Sequence, residues 1–127
     1  MLTLPIKKKW FDMIKNGEKV EEYRAFTEYY QTRLRNVWGY PACWHEIHEV
    51  ILKNGYAADA PKLLIKASLA VRTGREEWGA KPNEKYFVLI IHSVSEPVEE
   101  IKNIFCTQKN ITIWKLLWRR EEWTTQE

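Results

Sequence analysis

The amino-acid sequence predicts an α+β fold, a small mixed β-barrel with helices at its sides. Two early segments carry apolar residues at helical spacing, several others alternate in the manner of strands, and the strands interleave with the helices. Composition agrees: 45% of the residues are hydrophobic and 29% charged, enough apolar side chain to offset the entropy of ordering one core. With 127 residues the chain is read as a single domain, 1–127, without length for a second independent core.

Leu2 to Pro5 is a short apolar stretch that reads as a strand. Ile6, Trp10, Met13 and Ile14 then recur at helical spacing, with Pro5 placed in the first turn, where its missing N–H costs little, and Asn16-Gly17 as a left-handed exit. Lys19 to Ala25 alternates too evenly for a helix. As a strand it puts Val20, Glu22 and Arg24 on one face and Glu21 and Tyr23 on the other. Thr27 is an N-cap, with Glu28 in the first turn, for a second helix running through Tyr30, Leu34, Val37 and Trp38 to Gly39.

Glu46 to Leu52 reads as a strand ended by the Asn54-Gly55 turn. Leu63 to Arg72 is a long strand with Leu63, Ile65, Ala67, Leu69 and Val71 on one face, and Tyr86 to Val94 is apolar on both faces, so these two form the centre of the sheet. Between them Thr73 to Asn83, with Gly74, Gly79 and Pro82, is a loop that packs its Trp78 back onto the domain. Beyond Glu96-Pro97, Val98 to Phe105 reads as a short helix. Ile111 to Trp123, with Trp114, Leu117 and Trp118 beside Lys115, Arg119 and Arg120, reads as an amphipathic C-terminal helix. The core is therefore placed at about 1–95 and a helical extension at about 98–127.

Seven Trp, six Tyr and four Phe supply either a bulky core or flat platforms on which bases stack, and composition alone does not choose between them. A net charge of +3 favours polyanionic partners mildly, well short of a nucleic-acid coat protein, though a local basic cleft fits it. Cys43 and Cys106 form neither a CxxC pair nor a stapling framework, which suits reduced thiols in a cytoplasmic protein. No apolar run approaches the roughly eighteen residues of a membrane span, and Lys7, Lys8 and Lys9 interrupt the start too early for a signal peptide.

Chemistry concentrates in Gly17-Glu18-Lys19-Val20-Glu21-Glu22-Tyr23-Arg24. Glu22 and Arg24, two apart on one strand face, can hold each other in place, and a lysine beside them can bind phosphate as a point charge or, once desolvated, act as a base. Taken alone the spacing fits a solvated edge with ordinary surface ion pairs equally well.

Gly17, Lys19, Glu22 and Arg24 stand in the GxKxxExR pattern of ASCH domains, members of the PUA-like superfamily, and the chain resembles the small bacterial and phage members of that family. A short strand and a helix precede the motif, and Asn54-Gly55-Tyr56 and Glu77-Trp78-Gly79 match segments found downstream of it. The resemblance covers about residues 1–95. It implies a PUA-like barrel of about five to six strands, a cleft into which the motif residues point, and RNA or a nucleotide as partner.

One branch of that family hydrolyses N4-acylated cytidines with a lysine and a threonine of the motif; Lys19 matches the lysine, while Glu22 stands where that branch has threonine. Another branch is a ribonuclease, for which Lys19 and Arg24 would stabilise phosphoryl charge while Glu22 moves a proton. By the same analogy Tyr23, Tyr40, Tyr56 and Trp78 are placed as cleft walls around Lys19, Glu22 and Arg24. Three uses follow: RNA or nucleotide binding, hydrolysis in the same cleft with Lys19 and Glu22 as catalytic residues, and interaction or homodimer formation through the C-terminal helix. No cofactor is indicated. Cys43, His45 and His48 lack a fourth ligand of recognisable spacing and are not read as a metal site.

Overall fold

Where apolar residues alternate the chain forms strands, and where they recur at helical spacing it forms two helices. The computed structural model describes residues 1–96. In chain order they make β1 (Leu2–Pro5), α1 (Lys8–Lys15), β2 (Glu21–Ala25), α2 (Glu28–Trp38), β3 (His48–Lys53), β4 (Lys62–Thr73) and β5 (Lys85–Ser95), with 3-10 turns at Pro41–Cys43 and Glu76–Trp78. The helices expected at Val98 to Phe105 and Ile111 to Trp123 lie outside the described residues.

The five strands form one curled, half-barrel sheet in the order β1-β3-β4-β5-β2. β1 runs parallel to β3, and the other neighbours are antiparallel. As expected, β4 lies at the centre with β5 beside it. A bulge between Lys66 and Ala67 shifts the β4–β5 register, pairing Lys66 with Ser93 but Ala67 with Ile91.

The inner face carries the core. Leu4, Val50, Leu52, Ile65, Ala67 and Leu89 are fully enclosed, and Phe11 and Ile14 of α1 with Leu34 and Trp38 of α2 close over them. Cross-strand pairs such as Val50 with Ile65 and Leu52 with Leu63 put like-sized apolar side chains opposite each other. Thr27 caps α2 as expected, its hydroxyl oxygen accepting from the Tyr30 N–H at 3.4 Å. Among the described residues no helix is long and apolar enough to cross a membrane.

Three boundaries differ from the sequence expectation. Pro5 closes β1, paired with Lys53, and α1 starts only at Lys8; proline is tolerated in β1 because that strand is the sheet's edge. β2 begins at Glu21, because the N–H groups of Glu18 and Lys19 are both taken by the Met13 carbonyl at the end of α1, at 2.8 and 3.1 Å. Val20 is consequently turned outward rather than sharing a face with Glu22 and Arg24. β3 begins at His48, since the Glu46 carbonyl is used by the Trp38 indole N–H at 2.9 Å.

Because Leu52 is enclosed on every side, Leu52→Ala is expected to cost about 2–5 kcal/mol in denaturant unfolding with an unchanged m-value. A loss under about 1 kcal/mol would show that β3 is not part of the main core.

Candidate functional site

The turn between α1 and β2 delivers Lys19, and the inward face of β2 delivers Glu22 and Arg24. Lys19 Nζ donates to Glu22 Oε1 at 2.6 Å and also to the Glu21 carbonyl. Arg24 Nη2 donates to the other carboxylate oxygen, Glu22 Oε2, at 2.7 Å. One carboxylate is thus gripped from both sides by cations. The same Arg24 Nη2 donates to the Pro5 carbonyl on β1 at 2.7 Å, and Nη1 donates to the Tyr30 hydroxyl on α2 at 3.3 Å.

These three residues do not line an open cleft. Lys19 is 1% exposed, Glu22 5% and Arg24 8%, so the triad is part of the interior. Three hollows of the described surface, beside Thr3 and Arg33, beside Trp44 and Phe87, and beside His48 and Lys66, are lined by no triad residue. The physical reason is the ladder of charge-assisted bonds, which draws the ammonium and guanidinium inward onto Glu22 and the edge carbonyl.

Aromatic rings close over the ammonium. Lys19 Nζ lies 5.6 Å from the centroid of the Trp10 ring and 5.2 Å from that of Tyr23. The loop after β4 completes this lid through two glycines. A Cβ at Gly74 would come within 2.6 Å of the Tyr23 ring, and one at Gly79, where φ is +103°, within 2.9 Å of Trp10. In the same loop the Arg75 guanidinium stacks 4.6 Å from the Trp78 ring centroid.

A second, more exposed cluster adjoins the lid. Arg72 grips Glu21 with its two terminal guanidinium nitrogens, Nη2 at 2.7 Å and Nη1 at 3.2 Å. Tyr23 donates its hydroxyl to Glu21 at 2.7 Å and accepts from the Arg75 N–H at 2.9 Å. Burial alone would push the Glu21 carboxyl up, but the hydrogen bonds from Arg72 and Tyr23 prevail and hold it below the usual carboxylate value. Burial is also the main reason that Tyr23 is pushed up to about 12, and its bond to Glu21 adds to the rise. Burial pulls Lys19 below the ordinary lysine value, against the opposing attraction of Glu22.

Of the residues expected at the site, Lys19, Glu22, Arg24 and Tyr23 come together, and Trp78 stands in the neighbouring loop. Tyr40 and Tyr56 project from turns, 75% and 89% exposed, and among the described residues no hydrogen bond, ion pair or ring contact joins them to the triad. Trp10, Arg72 and Arg75 were not foreseen. Trp10 shares the helical apolar pattern of α1 and looks like ordinary core, while the Arg72 contact links residues 51 apart in sequence on β2 and β4, which β5 separates in the sheet. Among the described residues no cluster of three or more His, Cys, Asp or Glu is placed to hold a metal ion.

Two outcomes are expected. Glu22→Ala leaves two buried cations without their carboxylate and should cost about 3–5 kcal/mol, far more than Lys19→Met, which leaves the Glu22–Arg24 pair intact. Spectrophotometric titration should reveal a tyrosine ionising near 12 that disappears in Tyr23→Phe. As that value is raised, the stability Tyr23 contributes is complete below its ordinary 10.0 and is lost as pH climbs through about 12. Loss in Tyr23→Phe of an ionisation near 10 rather than near 12 would refute the shift.

Compared with protein-family models, curated proteins and solved structures, the chain matches none.

Proposed function

We propose that the chain is a PUA-like domain of ASCH type that binds RNA or a nucleotide where Trp10 and Tyr23 cover the Lys19–Glu22–Arg24 triad. The observation that carries this reading is the charge of the buried cluster: two cations share one carboxylate, and the Arg24 Nε is buried without a hydrogen-bond partner. Excess positive charge in a low-dielectric place is costly until an anion joins it, so a phosphate or an electron-rich base edge is the complementary ligand. Trp10, Tyr23 and Trp78 offer faces for stacking, and Arg72 and Arg75 add cations beside them. With Lys19 covered, a ligand reaches its ammonium by displacing one of the two rings over it.

One observation favours a second reading, hydrolysis in the same place. Desolvation lowers the proton affinity of Lys19, the adjustment a general base needs, and Glu22 lies within proton-transfer distance at 2.6 Å. In that reading Lys19 first passes a proton to Glu22, the neutral amine then takes one from the attacking water or ribose hydroxyl, and Arg24 steadies the developing negative charge.

Titration of a fluorescent single-stranded RNA, and of nucleoside monophosphates, separates the two. Binding should weaken with salt and fall about tenfold or more in Lys19→Met, the loss expected for one charged hydrogen bond. Product formation that vanishes in the same variant selects hydrolysis, whereas full affinity in a folded Lys19→Met protein rules out both.

A further inference from the structure

The inner end of the sheet holds a hollow of about 350 Å³ that the triad does not reach. Three aromatic side chains wall it: Phe26 just after β2, Trp44 after the 3-10 turn, and Phe87 on β5. Phe87 packs against Phe26 at 5.0 Å between ring centroids and against Trp44 at 6.3 Å, tilted by 54° and 70°. Leu34 and Leu69 form its floor, and Gln31 and Arg35, one turn apart on α2, line it from the solvent side. We propose that this hollow is a small-molecule site that takes a planar aromatic or heteroaromatic ring carrying a negative charge, the ring held among Phe26, Trp44 and Phe87 and the charge by Arg35.

The volume lies in the range of ligand pockets, about 300–1,000 Å³. The walls are pre-set rather than loose. The Trp44 indole N–H donates to the Gly39 carbonyl at 3.1 Å, and the Trp44 carbonyl accepts the Leu69 N–H at 2.9 Å, so the ring is pinned to the end of α2 and to β4 together. A pre-organised wall spares a ligand the entropy of ordering it. Phe26, by contrast, is 57% exposed, a large apolar ring left in water that a flat ligand would cover.

Charge selects the class of ligand. Arg35 is exposed, and among the described residues no ion pair or side-chain hydrogen bond holds its guanidinium, which leaves its fork of donors for a carboxylate or phosphate. Gln31 beside it can both donate to and accept from the edge of a heteroaromatic ring. A purely aliphatic ligand would leave both polar groups unused. None of the residues involved belongs to the Lys19 cluster, so the proposal stands or falls separately from nucleotide binding there.

The test is a methyl-resolved NMR titration of the full chain with two probes, adenosine monophosphate and indole-3-acetate, which separate a nucleotide from an aryl carboxylate as source. At least one probe is expected to shift the methyl resonances of Leu34, Leu69 and Val71, unchanged in a Lys19→Met background. Arg35→Glu, at an exposed position, should weaken that probe about tenfold, while Arg35→Lys retains most of the affinity. Absence of shifts with both probes at millimolar concentration, shifts confined to other methyls, or equal affinity in Arg35→Glu would each overturn the proposal.

Discussion

A single guanidinium joins the two free edges of the sheet. In the order β1-β3-β4-β5-β2 the outer strands are β1 and β2, and among the described residues no backbone ladder links them. Arg24 on β2 spans the gap by donating to the Pro5 carbonyl of β1, while Glu22 on the same face orients it. The half-barrel is therefore drawn together by a charged side chain where a closed barrel would use main-chain hydrogen bonds. Tyr30 ties α2 to the same guanidinium, so two strand edges and a helix meet at one residue.

That arrangement explains why residues with strong preference for water are interior here. Lys19, Glu22 and Arg24 bond to one another and to three backbone or hydroxyl oxygens, leaving only the Arg24 Nε of the cluster without a partner among the described residues, and their burial follows from the seam they close. The same compactness leaves the triad one negative charge short. On the proposed reading, the clamp that closes the seam is also the place where an incoming anion would offset the excess of cations.

Much of the architecture was legible in the sequence because it rests on local pattern. Alternation from Leu63 to Val71 marked β4, the apolar run from Tyr86 marked β5, and Thr27 with Glu28 marked the start of α2. Boundaries failed where a backbone group had a competing partner, as when Met13 took the Lys19 N–H or Trp38 took the Glu46 carbonyl. At the site, Glu22 beside Arg24 could be read from their two-residue spacing. The enclosure of the pair could not, since it depends on Pro5, Tyr30, Gly74 and Gly79, which reach it only through the curl of the sheet. Tyr40 and Tyr56 illustrate the reverse: proximity to turns says nothing about which way a turn points.

The treatment of β1 bears on how copies of this protein meet one another. Its outward carbonyls are both occupied, Pro5 by Arg24 and Thr3 by Arg33 at 3.4 Å, and Pro5 has no N–H to offer. A foreign strand arriving at that edge would find almost nothing to zip onto, and it would have to evict two arginines to begin. Fibrillar stacking through β1 is thereby blocked at its first step, by side chains that the fold already employs to hold its own margins together.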